Sequence, residues 1–261
     1  MLRDSESTLS NDDSAAATPA PSSAAAAEGA ASAFSEAATS EDNGFWPVLQ
    51  NRSFLVLWSG QIFSQLADKV YLVLMIAIIG SRFEAPGQAI SGWVSAVMVA
   101  FTIPAVLFGS LAGVYVDRWN KQSVLVLTNL LRGALVIALP LGLWLAEDWG
   151  QVGPVPLGFA LLLAITFAVS TLTQFFAPAE QAIIPLIVKR SRLLSANSLY
   201  TTTMMASVIV GFAIGEPLLC LADTALAAID GGAGWGKSVL VGGGYAVAGL
   251  LLLLVNPPAE N

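Results

Sequence analysis

The chain has 261 residues, of which 56% are hydrophobic and only 11% charged, with a mean hydropathy of +0.72. A soluble domain carries about a quarter charged residues, so this composition excludes an ordinary water-soluble fold and points to a lipid-facing surface. With no histidine and one cysteine, Cys220, the chain excludes His-based triads, His-containing zinc sites and an intramolecular disulfide.

The net charge of -7 comes from the start of the chain. Asp4, Glu6, Asp12, Asp13, Glu28, Glu36, Glu41 and Asp42 oppose Arg3 alone, and the rest of the chain is balanced. Residues 1–50 are also rich in Ala, Ser and Thr, too poor in large apolar side chains to offset their ordering entropy. They read as a disordered acidic tail, a solvated spacer or a partner-binding arm. A basic start followed by an apolar core, the mark of a signal peptide, is lacking.

From residue 51 the sequence becomes a series of long apolar runs, each long enough to cross a bilayer as a helix. The expected spans are 54–79, 93–116, 123–145, 155–176, 196–221 and 238–255. In the first, Gln61, Ser64 and Asp68 recur at helical spacing on one face, a polar stripe that reads as the wall of a wet cavity. A carboxyl inside hydrocarbon is costly and functional by default, and Asp68 is the candidate to load and release a proton. Lys69 points about 100° away around the helix and serves another neighbour.

Between the second and third spans lies a charged hairpin, Gly113-Val114-Tyr115-Val116-Asp117-Arg118-Trp119-Asn120-Lys121. Gly113 would let a neighbouring helix approach. Asp117 would pair locally or accept from amides of the next helix, and Asn120 would tolerate a left-handed reversal. In the third span Arg132 is the natural counter-charge to Asp68, with Thr128 and Asn129 one turn earlier; a pairing with Asp117 is the structural alternative.

The segment Pro178 to Val188 is too short to span and reads as a separate helix on the membrane surface. In the fifth span Gly211, Gly215, Glu216 and Pro217 read as a kink with small residues for close packing. Gly231 to Ser238 has the spacing of a phosphate-binding loop but lies between two membrane helices, where that chemistry has no strand or magnesium ligand, so it reads as a flexible loop and no ATP binding is expected. Arg3, Arg52, Arg118, Lys121, Lys189, Arg190 and Arg192 fall on one side of the membrane and only Arg82 and Lys237 on the other. The positive-inside rule then puts both termini in the cytoplasm of a cell-membrane protein.

Gly113, Asp117, Arg118 and Lys121 resemble the signature that joins the second and third helices in the major facilitator superfamily of secondary transporters, with Asn120 in place of the usual Gly and Gln122 in place of a basic residue. The run from Phe175 through Pro178 and Pro185 to Val188, with Leu194 to Leu199, Gly60 to Asp68, Asn129 and Arg132, is similar to the branch of enterobactin exporters and macrolide-efflux proteins. Gly211 to Pro217 resembles, more distantly, the helix-five signature of the family's antiporters. The resemblance implies an all-α membrane fold: six helices as two inverted three-helix repeats, half of a twelve-helix transporter. It implies proton-coupled efflux of a small lipophilic molecule or siderophore by alternating access, with Asp68, Gln61, Ser64, Arg132 and Asn129 coupling proton and substrate and the hairpin acting as a conformational latch. No enzymatic activity, cofactor, metal or nucleic-acid partner is expected. Because six helices are half of the family's fold, the partners implied are the bilayer, the substrate, protons and a second six-helix half or a second copy. The alternative is a truncated or accessory half that does not itself transport.

Overall fold

The computed structural model of the protein describes residues 45–83, 91–147, 150–152, 155–230 and 235–255. The expected acidic tail as far as residue 44, and the start of the glycine-rich segment at 231–234, lie outside the described residues.

Among the described residues, six helices are long and apolar enough to cross a membrane: α1 (Arg52–Arg82), α2 (Ser91–Arg118), α3 (Lys121–Leu145), α4 (Leu157–Ile187), α5 (Leu193–Asp230) and α6 (Trp235–Leu253). A one-turn helix, Trp46–Leu49, precedes α1, and a 3₁₀ turn, Arg190–Arg192, precedes α5. Gln151–Val152 and Val155–Pro156 form a two-stranded antiparallel ribbon between α3 and α4. Most helix ends overrun the expected spans, because the ends of membrane helices project into the interface, where charged and aromatic residues continue the same turns, while α4 begins and α6 ends two residues short of expectation.

One expectation fails here. Pro178 to Val188 is not a separate surface helix: α4 continues through Pro178 and Pro185 to Ile187. Proline leaves one backbone carbonyl without its usual donor, and in membrane helices neighbouring groups make good the loss. Near Pro104 in α2, the Ser170 hydroxyl of α4 donates to the Phe101 carbonyl, three residues before the proline, at 2.5 Å.

The helix pairing has an internal symmetry. The extensive contacts are α1 with α5 and α6, α4 with α2 and α3, and α3 with α6. Exchanging α1 with α4, α2 with α5 and α3 with α6 returns the same set of pairs; a further, smaller contact of α5 with α6 has no comparable counterpart between α2 and α3. This is the arrangement expected of two three-helix repeats, with α3 and α6 meeting at their junction.

That junction is built on glycine. A methyl group added at Gly133 of α3 would lie 2.8 Å from the Gly242 carbonyl oxygen of α6, and one added at Gly242 would lie 2.8 Å from the Gly133 carbonyl oxygen. Only residues without Cβ allow the two backbones this close.

One end of the bundle is tied by asparagine and glutamine side chains. The Asn51 carboxamide oxygen caps α1 by accepting from the amides of Ser53 and Phe54 at 3.1 and 3.4 Å, while its Nδ2 donates to the Ile187 carbonyl at the end of α4 at 2.7 Å. Gln122 Nε2 donates to the carbonyls of Leu252, Leu253 and Val255, at 3.2, 3.0 and 2.6 Å, where α6 ends and its carbonyls run short of helical donors. Arg192 reaches the Pro47 carbonyl at 3.3 Å.

Two apolar clusters fill the interior. One gathers Phe54, Leu57, Leu125, Phe176, Ile183 and Leu252; the other gathers Tyr71, Leu74, Val136, Leu139, Phe159 and Leu162. Along α1, α3 and α4 a polar layer separates them. The outside is apolar too, with Val106 79% and Ile209 74% exposed, as befits side chains facing lipid or another protein.

A buried charged cluster at mid-membrane depth

Asp68 is the seventeenth of the 31 residues of α1, about 24 Å along the axis from Arg52 at 1.5 Å per residue. Its Oδ1 accepts from Arg132 Nη1 of α3 at 3.0 Å and from the Tyr245 hydroxyl of α6 at 2.5 Å. Arg132 Nη2 donates to Ser64 Oγ at 3.0 Å and to Asn129 Oδ1 at 2.8 Å. The Ser64 hydroxyl donates to the same Asn129 oxygen at 3.0 Å, and Arg132 Nη1 also meets Thr173 Oγ1 of α4 at 3.3 Å. The guanidinium carbon stands 4.7 Å from the ring centres of both Phe176 and Tyr245.

Four helices thus converge on one cation. The spacing explains the convergence: Ser64 and Asp68 are one turn apart on α1, Asn129 and Arg132 one turn apart on α3, and Thr173 and Phe176 one turn apart on α4. Tyr245 follows Gly242 by three residues on α6, so the glycine contact brings its ring and hydroxyl against Arg132 and Asp68.

Asp68 and Arg132 therefore form an ion pair, and Arg132 is directed at Asp68 rather than Asp117. The stripe of Gln61, Ser64 and Asp68 does not line a wet cavity, as the sequence suggests. Gln61 and Ser64 are buried, Asp68 is 6% exposed and Arg132 is fully enclosed. A polar stripe has two ways to avoid hydrocarbon, water or a complementary stripe, and the sequence of α1 alone does not say which. Thr128 stands apart from the cluster, with its hydroxyl donating to the Val124 and Leu125 carbonyls of its own helix.

Sequence reasoning missed three members. Tyr245 and Thr173 are uncharged and give no signal in an apolar run. Glu180 gives one: it is an acid two residues after Pro178, in a segment assigned to the membrane surface. Because α4 is continuous, Glu180 is carried inside and is fully buried. Its Oε2 accepts from the Tyr200 hydroxyl of α5 at 2.9 Å, and the Tyr200 carbonyl accepts from Gln61 Nε2 at 3.3 Å.

The hairpin is placed differently from expectation. Gly113 has no neighbouring helix against it; a Cβ there would meet open space. Asn120 is not left-handed but extended, at φ -66° and ψ 112°, and caps α3 by accepting from the Ser123 amide at 3.0 Å. That role, assigned above to Asp117, falls to the residue one position before the helix. Lys121 Nζ donates to the Asp117 carbonyl at 3.1 Å, and Asp117 and Arg118 are exposed at the end of α2.

On α5, Gly211 and Gly215 face α1: added Cβ atoms would lie 2.5 Å from Lys69 Cβ and 3.1 Å from Val73 Cγ2. Glu216 and Pro217 are exposed. Lys237 pairs with Asp223 at 3.5 Å and stands with Gly236 and Ser238 in the first turn of α6. Among the described residues, no cluster of His, Cys, Asp or Glu has the make-up of a metal site.

The family model described as Major Facilitator Superfamily matches residues 57–261. Among curated proteins, the chain is similar to the putative bacilysin exporter BacE of Bacillus subtilis, with 31% identity over 60% of this chain and 34% of BacE. It is similar to macrolide efflux protein A of Streptococcus pyogenes, with 26% identity over 68% of this chain and 40% of that protein. A third relative, the uncharacterized MFS-type transporter YkuC of Bacillus subtilis, is 23% identical over 64% of this chain and 35% of its own length. The chain thus spans two fifths or less of the curated relatives it matches. No solved structure matches it. Six apolar helices paired as two three-helix repeats around a buried charge, together with a family match over most of the chain, place this protein in the major facilitator superfamily of membrane transporters.

Proposed function

We propose that the chain is a six-helix half of a proton-coupled exporter of small lipophilic molecules, a siderophore included, working by alternating access. The observation that carries this reading is the Asp68–Arg132 ion pair at mid-membrane depth, shared among four helices. A structural ion pair of this kind is a poor source of stability, because desolvation offsets its attraction. Its place at the depth where family members hold substrates and ions fits a coupling role. Export is supported by the relatives named as a putative exporter and an efflux protein.

In this reading, proton exchange at the cluster loosens Asp68 from Arg132, and substrate or a shift of helices then takes up the guanidinium. Gln61, Ser64 and Asn129 hold the alternative partners. The hairpin of Gly113, Asp117, Arg118, Asn120 and Lys121 latches one conformation by meeting a second half, for which its exposed Asp117 and Arg118 are available. Gly211 and Gly215 let α5 slide against α1, with Glu216 and Pro217 on the outer side. The basic ends, Arg52, Arg118, Lys121, Lys189, Arg190 and Arg192, face the cytoplasm of a cell membrane. The second half is a further six-helix segment or a second copy of this chain.

The test is flux of a fluorescent lipophilic panel in liposomes under an imposed pH gradient, comparing wild type with Asp68→Asn. Gradient-driven accumulation that disappears in Asp68→Asn is the expected result. Accumulation that persists in Asp68→Asn overturns the coupling role. A second reading, a half that does not transport, draws on the burial of Asp68 and Arg132 on all sides. It predicts no flux from the chain alone or joined to the second half of a relative.

A further inference from the structure

Among the described residues, three acids and bases are buried: Asp68, Arg132 and Glu180. Two carboxyls therefore share one guanidinium. Glu180 interacts electrostatically with both Arg132 and Asp68, and it lies one turn beyond Phe176, whose ring stacks on Arg132. Tyr200 of α5 faces it directly, and Tyr245 of α6 faces Asp68.

The two carboxyls are not equivalently served. Asp68 has the cation and a tyrosine hydroxyl on one oxygen. Glu180 has one hydroxyl on Oε2, while its buried Oε1 has no hydrogen-bond partner among the described residues. A buried carboxylate needs a cation or several donors to offset its desolvation. A neutral acid does not. The cluster is electrically neutral with one proton on its two carboxyls, and Asp68 is the one equipped to remain ionised.

We propose that Glu180 is a second protonatable site of the cluster and holds its exchangeable proton, while Asp68 stays paired with Arg132. The proposal rests on the proton-coupled reading above and names where the proton waits. Glu180 lies seven residues before the end of α4, about 10 Å from that face of the membrane, whereas Asp68 is at mid-depth. A proton leaving Glu180 for water at that face leaves a carboxylate behind, and the cluster gains one negative charge. Arg132 then has two carboxylates to serve and one N–H, at Nε, with no partner yet among the described residues. Competition of this kind loosens the Asp68 contact without titrating Asp68 itself.

The experiment is an infrared pH titration of the full chain in phosphatidylcholine liposomes, reading the protonated-carboxyl C=O stretch of wild type, Glu180→Gln, Asp68→Asn and Tyr200→Phe. Above about pH 6, exposed carboxyls are ionised and silent in this band. Wild type is expected to show a protonated-carboxyl band there that fades as pH rises. Glu180→Gln, which keeps an acceptor for Tyr200, should lack it; Asp68→Asn, which leaves Glu180 the one remaining carboxyl opposite Arg132, should lose it at lower pH than wild type. Tyr200→Phe should shift its frequency without abolishing it. A band that survives Glu180→Gln, a wild type without the band, or a band indifferent to Tyr200→Phe overturns the proposal. A band that follows Glu180 in a protein whose flux ignores the pH gradient leaves the proton's location standing and removes the coupling.

Discussion

A single methyl group at the α3–α6 contact should separate two neighbouring glycines of α6 by the sign of their effect. In Gly242→Ala the new Cβ would lie 2.8 Å from the Gly133 carbonyl oxygen and closer still to Ile137 Cγ1. A carbon cannot rest that close to either atom, so the helices must part by roughly half an ångström, and overpacking of this size costs about 1–3 kcal/mol. In Gly243→Ala the new Cβ meets nothing within 4 Å, and the exchange gains up to about 1 kcal/mol of helix propensity. Adjacent, chemically identical substitutions should therefore differ by about 2–4 kcal/mol in opposite directions. Equilibrium unfolding of the purified chain in mixed micelles, followed by tryptophan fluorescence, measures both. The gap also has a local signature, because parting α3 from α6 draws the Tyr245 hydroxyl away from Asp68. Equal stabilities for the two variants, or a Gly242→Ala protein as stable as wild type, would refute the close-contact account of this junction.

Three further outcomes follow from the same geometry. Asp68→Asn strands the Arg132 charge and should cost about 3–5 kcal/mol, whereas Asp68→Asn combined with Arg132→Met should recover part of that loss; a double-mutant cycle in the same micelles reads the coupling. Gln122→Glu sets a carboxylate against the Leu252, Leu253 and Val255 carbonyls and should speed hydrogen exchange over the last turn of α6, while Gln122→Lys, which still donates, should not. Asn51→Ala removes a helix cap together with the bond to Ile187, for a loss of about 1–2 kcal/mol on unfolding, and Asn51→Asp should retain the cap's share alone.

The membrane spans were readable because each is a long apolar run, and periodicity inside them placed Gln61, Ser64 and Asp68 on one face. Arg132 was legible as a partner because a lone cation in hydrocarbon has few alternatives. What the sequence hid lies in relations between helices. Glu180 escaped because Pro178 and Pro185 look like breakers, yet within a bundle a proline can sit inside a continuous helix, as α4 runs through both to Ile187. Tyr245 and Thr173 acquire their roles only from what stands opposite. Gly113 and Gly133 look alike in sequence, one facing open space and the other a backbone, because the identity of the facing helix is not written in either run. Asn120 could have been read as a helix cap from Ser123 three residues on, but the turn suggested a reversal instead.

The pairing of the helices also bears on how the chain is assembled during synthesis. The first of these six helices, α1, makes its extensive contacts with α5 and α6, and α2 makes its own with α4 rather than with either neighbour in sequence. The first two hairpins, α1–α2 and α2–α3, therefore have little to hold them as the ribosome delivers them, whereas α3 and α4 can pair at once. Asp68 can meet Arg132 once α3 arrives, and that early tether holds α1 near the position where α6 will dock. Until α3 arrives, Ser64 and Asp68 of α1 wait unsatisfied, so the interval between α1 and α3 is the stretch of biogenesis in which an insertase or chaperone has most to do.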